Sequence, residues 1–205
     1  MPETPLVLAF DTAAAHCAAA LLSGDRVLQS AVEPMAKGQA ERLLVLCREL
    51  MANAGVNIDD LTAIGVGIGP GNFTGIRISV SAARGLALGL GVPAVGVSTF
   101  DALRFGVDGP CVCAVDARRD MVYLQGYENS GFSEPERYQV TELPPFDGPL
   151  IGAGGQQPAH PIAEAIARLT AIRYLSETTR PAPLYLRPAD AAPGRDTAPV
   201  ILPTR

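Results

Sequence analysis

The chain has 205 residues, of which 48% are apolar and 18% charged, with 16 basic and 21 acidic side chains for a net charge of −5. That length and apolar content exclude disorder for most of the chain and allow one or two domains that bury roughly 70% of their unfolded surface without disulfide or metal staples. A net negative charge argues against nucleic-acid binding by this chain alone, because affinity for phosphates comes from Lys and Arg. Lys37 is the only lysine.

Leu6–Phe10 is an unbroken apolar run ending at Asp11 and reads as a buried central strand. Cys17–Leu22 and Val27–Glu33, separated by Ser23-Gly24-Asp25, complete an antiparallel meander. Gln39–Ala54 carries a broad apolar arc (Leu43, Leu44, Leu46, Cys47, Leu50, Met51) and predicts a helix stopped by Gly55. Thr62–Ile68 alternates, with Ala63, Gly65 and Gly67 on a face that lets another backbone or helix come close. A turn over residues 69–74 leads to a helix from about Gly75 to Leu90, a short strand Ala94–Val97, and a helix capped by Ser98 or Thr99.

The second half begins in the same way. Cys111–Val115 is an apolar strand ending at Asp116, with strands after it at Met121–Tyr127 and Glu136–Val140. The plan "strand ending in Asp, turn, strand, turn, strand" therefore occurs twice, about a hundred residues apart. A Pro-rich linker (Leu143–Gly148), a strand at Leu150–Ala153 and a helix from about Pro161 to Ala171 come next, without counterparts for the two long helices of the first half. Residues 191–205 have little pattern and are expected to be a flexible tail. Met1–Pro5 is acidic rather than basic, and Leu86–Val97 is broken by Gly89, Gly91 and Pro93, so neither a leader nor a membrane span is expected. Cys17, Cys47, Cys111 and Cys113 form no C-x-x-C and read as reduced core thiols of a cytoplasmic protein; His16 and His160 read as isolated.

Three features carry chemistry. The run from Gly65 to Gly75 places Gly69, Gly71 and Gly75 between a strand and a helix N-terminus, where free N–H groups suit a phosphate. It matches neither a Walker A loop nor G-x-G-x-x-G, and a tight turn with close packing is the competing reading. Asp11-Thr12 stands at the end of the first strand, where a carboxylate can hold a hydrated cation beside a phosphate; a turn or cap residue explains it equally. The helix 75–90 has three stripes. Ile76, Val80, Ala83, Ala87 and Leu90 make an apolar face, Ile78, Ala82, Gly85 and Gly89 a face of mostly small residues, and Arg77, Ser81, Arg84 and Leu88 a mixed face. A surface helix normally buries one stripe, so a second buried contact is expected, either inside the fold or at an oligomer interface.

These residues resemble the bacterial TsaB (YeaZ) family. The resemblance rests on residues 8–12, on Gln39-Ala40-Glu41-Arg42-Leu43-Leu44 and on Gly67-Ile68-Gly69-Pro70-Gly71-Asn72-Phe73-Thr74-Gly75-Ile76-Arg77. It rests also on Arg84-Gly85-Leu86-Ala87, Gly96-Val97-Ser98-Thr99, Val115-Asp116-Ala117-Arg118 and Pro183-Leu184-Tyr185-Leu186-Arg187-Pro188. It implies an α/β actin-like ATPase (ASKHA) fold of two stacked ribonuclease-H-like domains, the second reduced. Residues 1–100 would form the first, with the partner-binding helices, and residues 101–190 the second. It implies a non-catalytic subunit that pairs with TsaD, alongside TsaE, to place threonylcarbamoyl on tRNA adenosine next to the anticodon, touching tRNA only through the complex. A homodimer is expected when TsaD is absent. The partner interface is expected at Arg77, Ile78, Ser81, Ala82, Arg84, Gly85 and Leu88. TsaD's metal-binding histidine pair has no counterpart in Lys37–Arg42, and Ala13 replaces a glycine usual in the first phosphate loop of active relatives. No metal and no catalytic residue are therefore expected, and ATP or ADP only within the complex, on vestigial loops at Asp11, Thr12, Gly69, Gly71 and Gly75. The alternative is a weak ATPase or a glycoprotease-like peptidase acting alone.

Overall fold

The computed structural model describes residues 4–186. The flexible tail expected at 191–205, and the Arg187-Pro188 end of the last motif, lie outside the described residues.

Nine strands and four α-helices succeed one another as β1 (Leu6–Asp11), β2 (His16–Ser23), β3 (Arg26–Pro34), α1 (Gln39–Ala54), β4 (Ala63–Gly67), α2 (Phe73–Leu90), β5 (Ala94–Val97), α3 (Thr99–Arg104), β6 (Cys111–Asp116), β7 (Met121–Tyr127), β8 (Glu136–Gln139), β9 (Leu150–Gly152) and α4 (Ile162–Arg173). A 3₁₀ turn at Ile58–Asp60, which the residue pattern does not announce, precedes β4.

The first sheet has the order β3-β2-β1-β4-β5. β1 runs antiparallel to β2 and parallel to β4. Period-two alternation sends successive side chains to opposite faces. Leu8, Phe10, Cys17, Ala19, Leu21, Ile64 and Val66 thus enter a core with Leu43, Leu46 and Leu50 of α1 and Ile76, Val80 and Ala83 of α2. Val7, Ala9, Ala18, Ala20, Leu22 and Val95 enter a second core against Ala163, Ala165, Ile166 and Ala167 of α4. A central strand covered on both faces has no polar side to display, which is why β1 reads as an uninterrupted apolar run.

The second sheet, β8-β7-β6-β9, repeats the plan in reduced form: β6 is antiparallel to β7 and parallel to β9. Phe100 and Leu103 of α3 cover one face at Cys111, Cys113 and Ile151. Phe132, Tyr138 and Phe146, from β8 and its flanking loops, cover the other at Val112, Ala114 and Leu124.

α4 falls within 101–190 but packs on the first sheet rather than on the second. The glycine face of β4 is the reason. A Cβ on Gly65 would overlap the hydroxyl of Thr170 and stand 3.1 Å from the Ile166 side chain, so only glycine admits the helix at this distance. Burying Ile166 alone is worth roughly 2 kcal/mol. Between α3, α4 and β7, Asp101 accepts a hydrogen bond from the Tyr127 hydroxyl (3.0 Å) and one from Arg173 (3.1 Å). Burial first, then the Asp101 charge, hold the Tyr127 hydroxyl well above its usual pKa.

Candidate functional site

Two places gather the sequence-derived candidates: the end of β1, and the outer face of α2. At the first, Asp11 is 2% exposed and Thr12 fully buried. Asp11 Oδ2 accepts from the Ala13 N–H (3.0 Å) and bonds to His16 Nε2 at 2.7 Å, so His16 is not isolated. The antiparallel return of β2 brings it back beside the strand end. Asp11 Oδ1 is buried without a partner among the described residues, beside the bare α-carbon of Gly67.

The loop after β1 and the start of α2 are joined by hydrogen bonds to main-chain carbonyls. The Thr12 hydroxyl donates to the Gly75 carbonyl (2.6 Å), and the Asn72 N–H donates to the Ala13 carbonyl (2.6 Å). A Cβ on Gly75 would overlap the Thr12 carbonyl oxygen, and one on Gly71 the Ala13 carbonyl oxygen. Both glycines are accounted for by this close approach. Gly69, at φ 91, needs glycine for a different reason, its left-handed backbone. Protein backbone thus fills the space between the two loops.

α2 itself begins at Phe73, two residues earlier than the apolar pattern indicates. Asn72 caps it, its Oδ1 accepting from the N–H groups of Thr74 (3.0 Å) and Gly75 (3.2 Å). Gly91 ends it in a left-handed conformation.

Along α2 the stripes separate. Ile76, Val80, Ala83 and Ala87 are buried, while Ile78 and Ala82 are half-buried against the first core. Arg77, Ser81, Arg84, Gly85, Leu88 and Gly89 are exposed, Leu88 at 82%. A Cβ at Gly85 or Gly89 would meet nothing within 4 Å. On α1, Leu44 is also exposed. Beyond its first turn this mixed face, with Leu88 beside Arg84 and the small residues Ser81, Gly85 and Gly89, has no covering element among the described residues.

Arg77 is not an unattached cation on this face. Its guanidinium lies 3.8 Å from the centre of the Phe73 ring, and its Nε donates to the Tyr185 hydroxyl at 2.8 Å. Phe73 and Tyr185 stack with centroids 4.9 Å apart. In the sequence Tyr185 stands only as one letter of a motif; a partner 108 positions away leaves no local signal. Arg84 has no hydrogen-bonding partner among the described residues.

A groove of about 320 Å³ separates the N-termini of α1 and α2, lined by Lys37, Gly38, Gln39, Asn72, Thr74 and Ile78, among others. It contains no histidine or cysteine. Among the described residues no three His, Cys, Asp or Glu side chains come together as a metal site. No described helix is long and apolar enough to cross a membrane. The four cysteines are buried thiols. Burial pushes Cys17 up to about 11 and Cys47 up to about 12, and it raises Cys111 and Cys113 as well, so none is a poised nucleophile.

A 3-2-1-4-5 sheet whose first strand ends in Asp, with a reduced copy of the same plan after it, defines an actin-like protein built from two ribonuclease-H-type units. The comparisons narrow the class. The family model described as TsaD, tRNA N6-adenosine threonylcarbamoyltransferase, matches residues 32–136. The tRNA threonylcarbamoyladenosine biosynthesis protein TsaB of Escherichia coli (strain K12) is 35% identical over 127 residues, 60% of this chain and 54% of that protein. An uncharacterized protein of Mycobacterium tuberculosis (strain H37Rv) is 30% identical over 202 residues, 91% of this chain and 94% of that one. The solved structure of YeaZ from Pseudomonas aeruginosa superimposes with a TM-score of 0.72 at 29% identity, over 89% of this chain and 100% of that chain. The chain belongs to the TsaB (YeaZ) family. Its match spans about half the length of the E. coli relative.

Proposed function

We propose that this protein is the non-catalytic partner subunit of TsaD, in the cytoplasmic complex, with TsaE, that installs threonylcarbamoyl on tRNA adenosine next to the anticodon. The observation that carries the reading is the outer face of α2. An 82% exposed Leu88, flanked by Arg84, Ser81 and the bare backbone of Gly85 and Gly89, is a surface that a second helix can approach closely. Chemistry by this chain alone has little to work with. Asp11 Oδ2 is engaged by its own loop and by His16, the loop contact leaves little room for a phosphate, and no activated thiol is present among the described residues. The isolated chain therefore binds no nucleotide with useful affinity, and ATP or ADP enters only with the complex. In the absence of TsaD the same face pairs with a second copy of the chain.

The test replaces Leu88 with Asp and, separately, Arg84 with Glu. A charge in a packed interface core cannot be solvated, so Leu88→Asp is expected to abolish co-purification with TsaD and Arg84→Glu to weaken it. Cells that depend on either variant should lose threonylcarbamoyladenosine from tRNA, with thermal melting nearly unchanged. Folded variants that pair with TsaD and support normal modification would show that the partner binds elsewhere.

A further inference from the structure

After α4 the chain does not leave the body of the protein at once. Residues 181–186 cross the carboxyl ends of β4 and β5. The Leu184 N–H donates to the Ile68 carbonyl (2.8 Å), and Pro181 sits over Gly96, where a Cβ would stand 3.4 Å from the Pro181 side chain. The crossing ends with Tyr185 on the first turn of α2. There its hydroxyl takes the Arg77 Nε–H and its ring packs on Phe73, while Phe73 carries the flat face of the guanidinium.

We infer that residues 181–186 are a strap that presets Arg77 to receive a carboxylate side chain of the partner, with Tyr185 as the positioning residue. This rests on the α2 face being the partner-binding face. A free surface arginine samples many rotamers, and that freedom is lost when it binds. Here the rotamer is already chosen. Nε is held by the hydroxyl and one face of the guanidinium by an aromatic ring. The two Nη groups make no hydrogen bond among the described residues. Two parallel N–H donors on a fixed plane match the two oxygens of an Asp or Glu side chain, and a lysine cannot reproduce that geometry. Arg77 lies one turn before Ser81 on the exposed side of α2, so a carboxylate bound there lies at the margin of the surface centred on Leu88. At the margin such a pair sets orientation and register, and its preset bidentate geometry lets it add affinity that an ordinary exposed pair does not.

The measurement is the affinity of the full chain for TsaD by calorimetry, at several salt concentrations, for Arg77→Ala, Arg77→Lys, Tyr185→Phe and the double variant Arg77→Ala/Tyr185→Phe. Tyr185→Phe keeps the ring and removes only the hydroxyl. Arg77→Ala should weaken binding about thirtyfold and flatten its salt dependence, as for loss of a charge-assisted bidentate pair. Arg77→Lys should recover little of that loss. Tyr185→Phe should weaken binding about fivefold in the native background and have no effect once Arg77 is Ala, because the hydroxyl acts through Arg77. An equal Tyr185→Phe effect in both backgrounds would overturn the positioning role. Arg77→Ala and Tyr185→Phe that bind at wild-type strength while Leu88→Asp loses TsaD would overturn the strap and leave the face standing. Wild-type binding by all of them, Leu88→Asp included, would remove the face itself.

Discussion

Asp11 closes β1 and Asp116 closes β6, each just before an antiparallel return strand, yet one is 2% exposed and the other lies at the surface. Asp11 bonds to the Ala13 N–H and to His16, while Asp116 accepts only the Arg118 N–H, at 2.8 Å, within its own turn. The difference comes from the element that covers each strand end. In the first sheet the N-terminal loop of α2 comes down on residues 12 and 13 and seals the strand end. In the second sheet no described helix does so. The chain instead turns through Arg118, Arg119 and Asp120, all in left-handed conformation at φ 60, 53 and 58. The same strand arrangement has become a packed joint in one unit and an open, strained hairpin in the other. A terminal aspartate in this plan is therefore no sign of a binding site until its covering element is known.

The largest effect is expected at the joint. Gly75→Ala drives a methyl into the Thr12 carbonyl and is expected to cost about 3 kcal/mol. Gly85→Ala, on the same helix but in open space, is expected to stabilise by about 0.7 kcal/mol. Chemical denaturation of the two variants measures the contrast. Equal effects would mean that the loops are not in contact.

Next comes the aspartate pair itself. Asp11→Ala strands the buried Ala13 N–H and the half-buried His16 ring and should cost about 2 kcal/mol. Asp116→Ala, at the surface, should cost about 0.5 kcal/mol. Similar urea midpoints for the two would show that burial does not separate them. Calorimetric titration with ATP should show no binding by the wild type and none by Asp11→Ala.

Each unit also buries a pair of thiols, and these make stability depend on pH. Cys17 and Cys47 are pushed up to about 11 and about 12, with burial as the first cause in both. A raised native pKa means that the unfolded chain gives up its thiol protons first. The stability so gained is fully present below about pH 8.5, the ordinary thiol pKa, and is lost as pH rises toward 11 and 12. Melting temperature should hold steady to about pH 8 and decline above it, more steeply than in a Cys17→Ala/Cys47→Ala variant. A flat profile up to pH 11 would contradict the burial of these groups.

The smallest effect lies in the open hairpin. Arg119→Gly relieves one non-glycine left-handed residue and should stabilise by about 0.5 kcal/mol, after the larger entropy loss of glycine is subtracted. A melting temperature lower than wild type would place the strain elsewhere.

Much of this architecture is written locally. The apolar run ending at Asp11, the alternation of Thr62–Ile68, the glycines at 55 and 91 and the buried stripe Ile76, Val80, Ala83 and Ala87 each announce their element, because strand and helix periods act on neighbours in sequence. The doubled strand plan and the exposed stripe of α2 are legible for the same reason. Three things are not. Whether Asp11 faces a ligand or a protein loop depends on the seating of α2, more than sixty residues later. That α4 covers the first sheet depends on a glycine face that any helix fits equally well. That Arg77 is held by Tyr185 depends on a distant segment returning across the sheet. Each is a contact between segments whose individual patterns are compatible with several partners. Shape complementarity in the assembled fold selects among them, and periodicity along one segment carries no record of the choice.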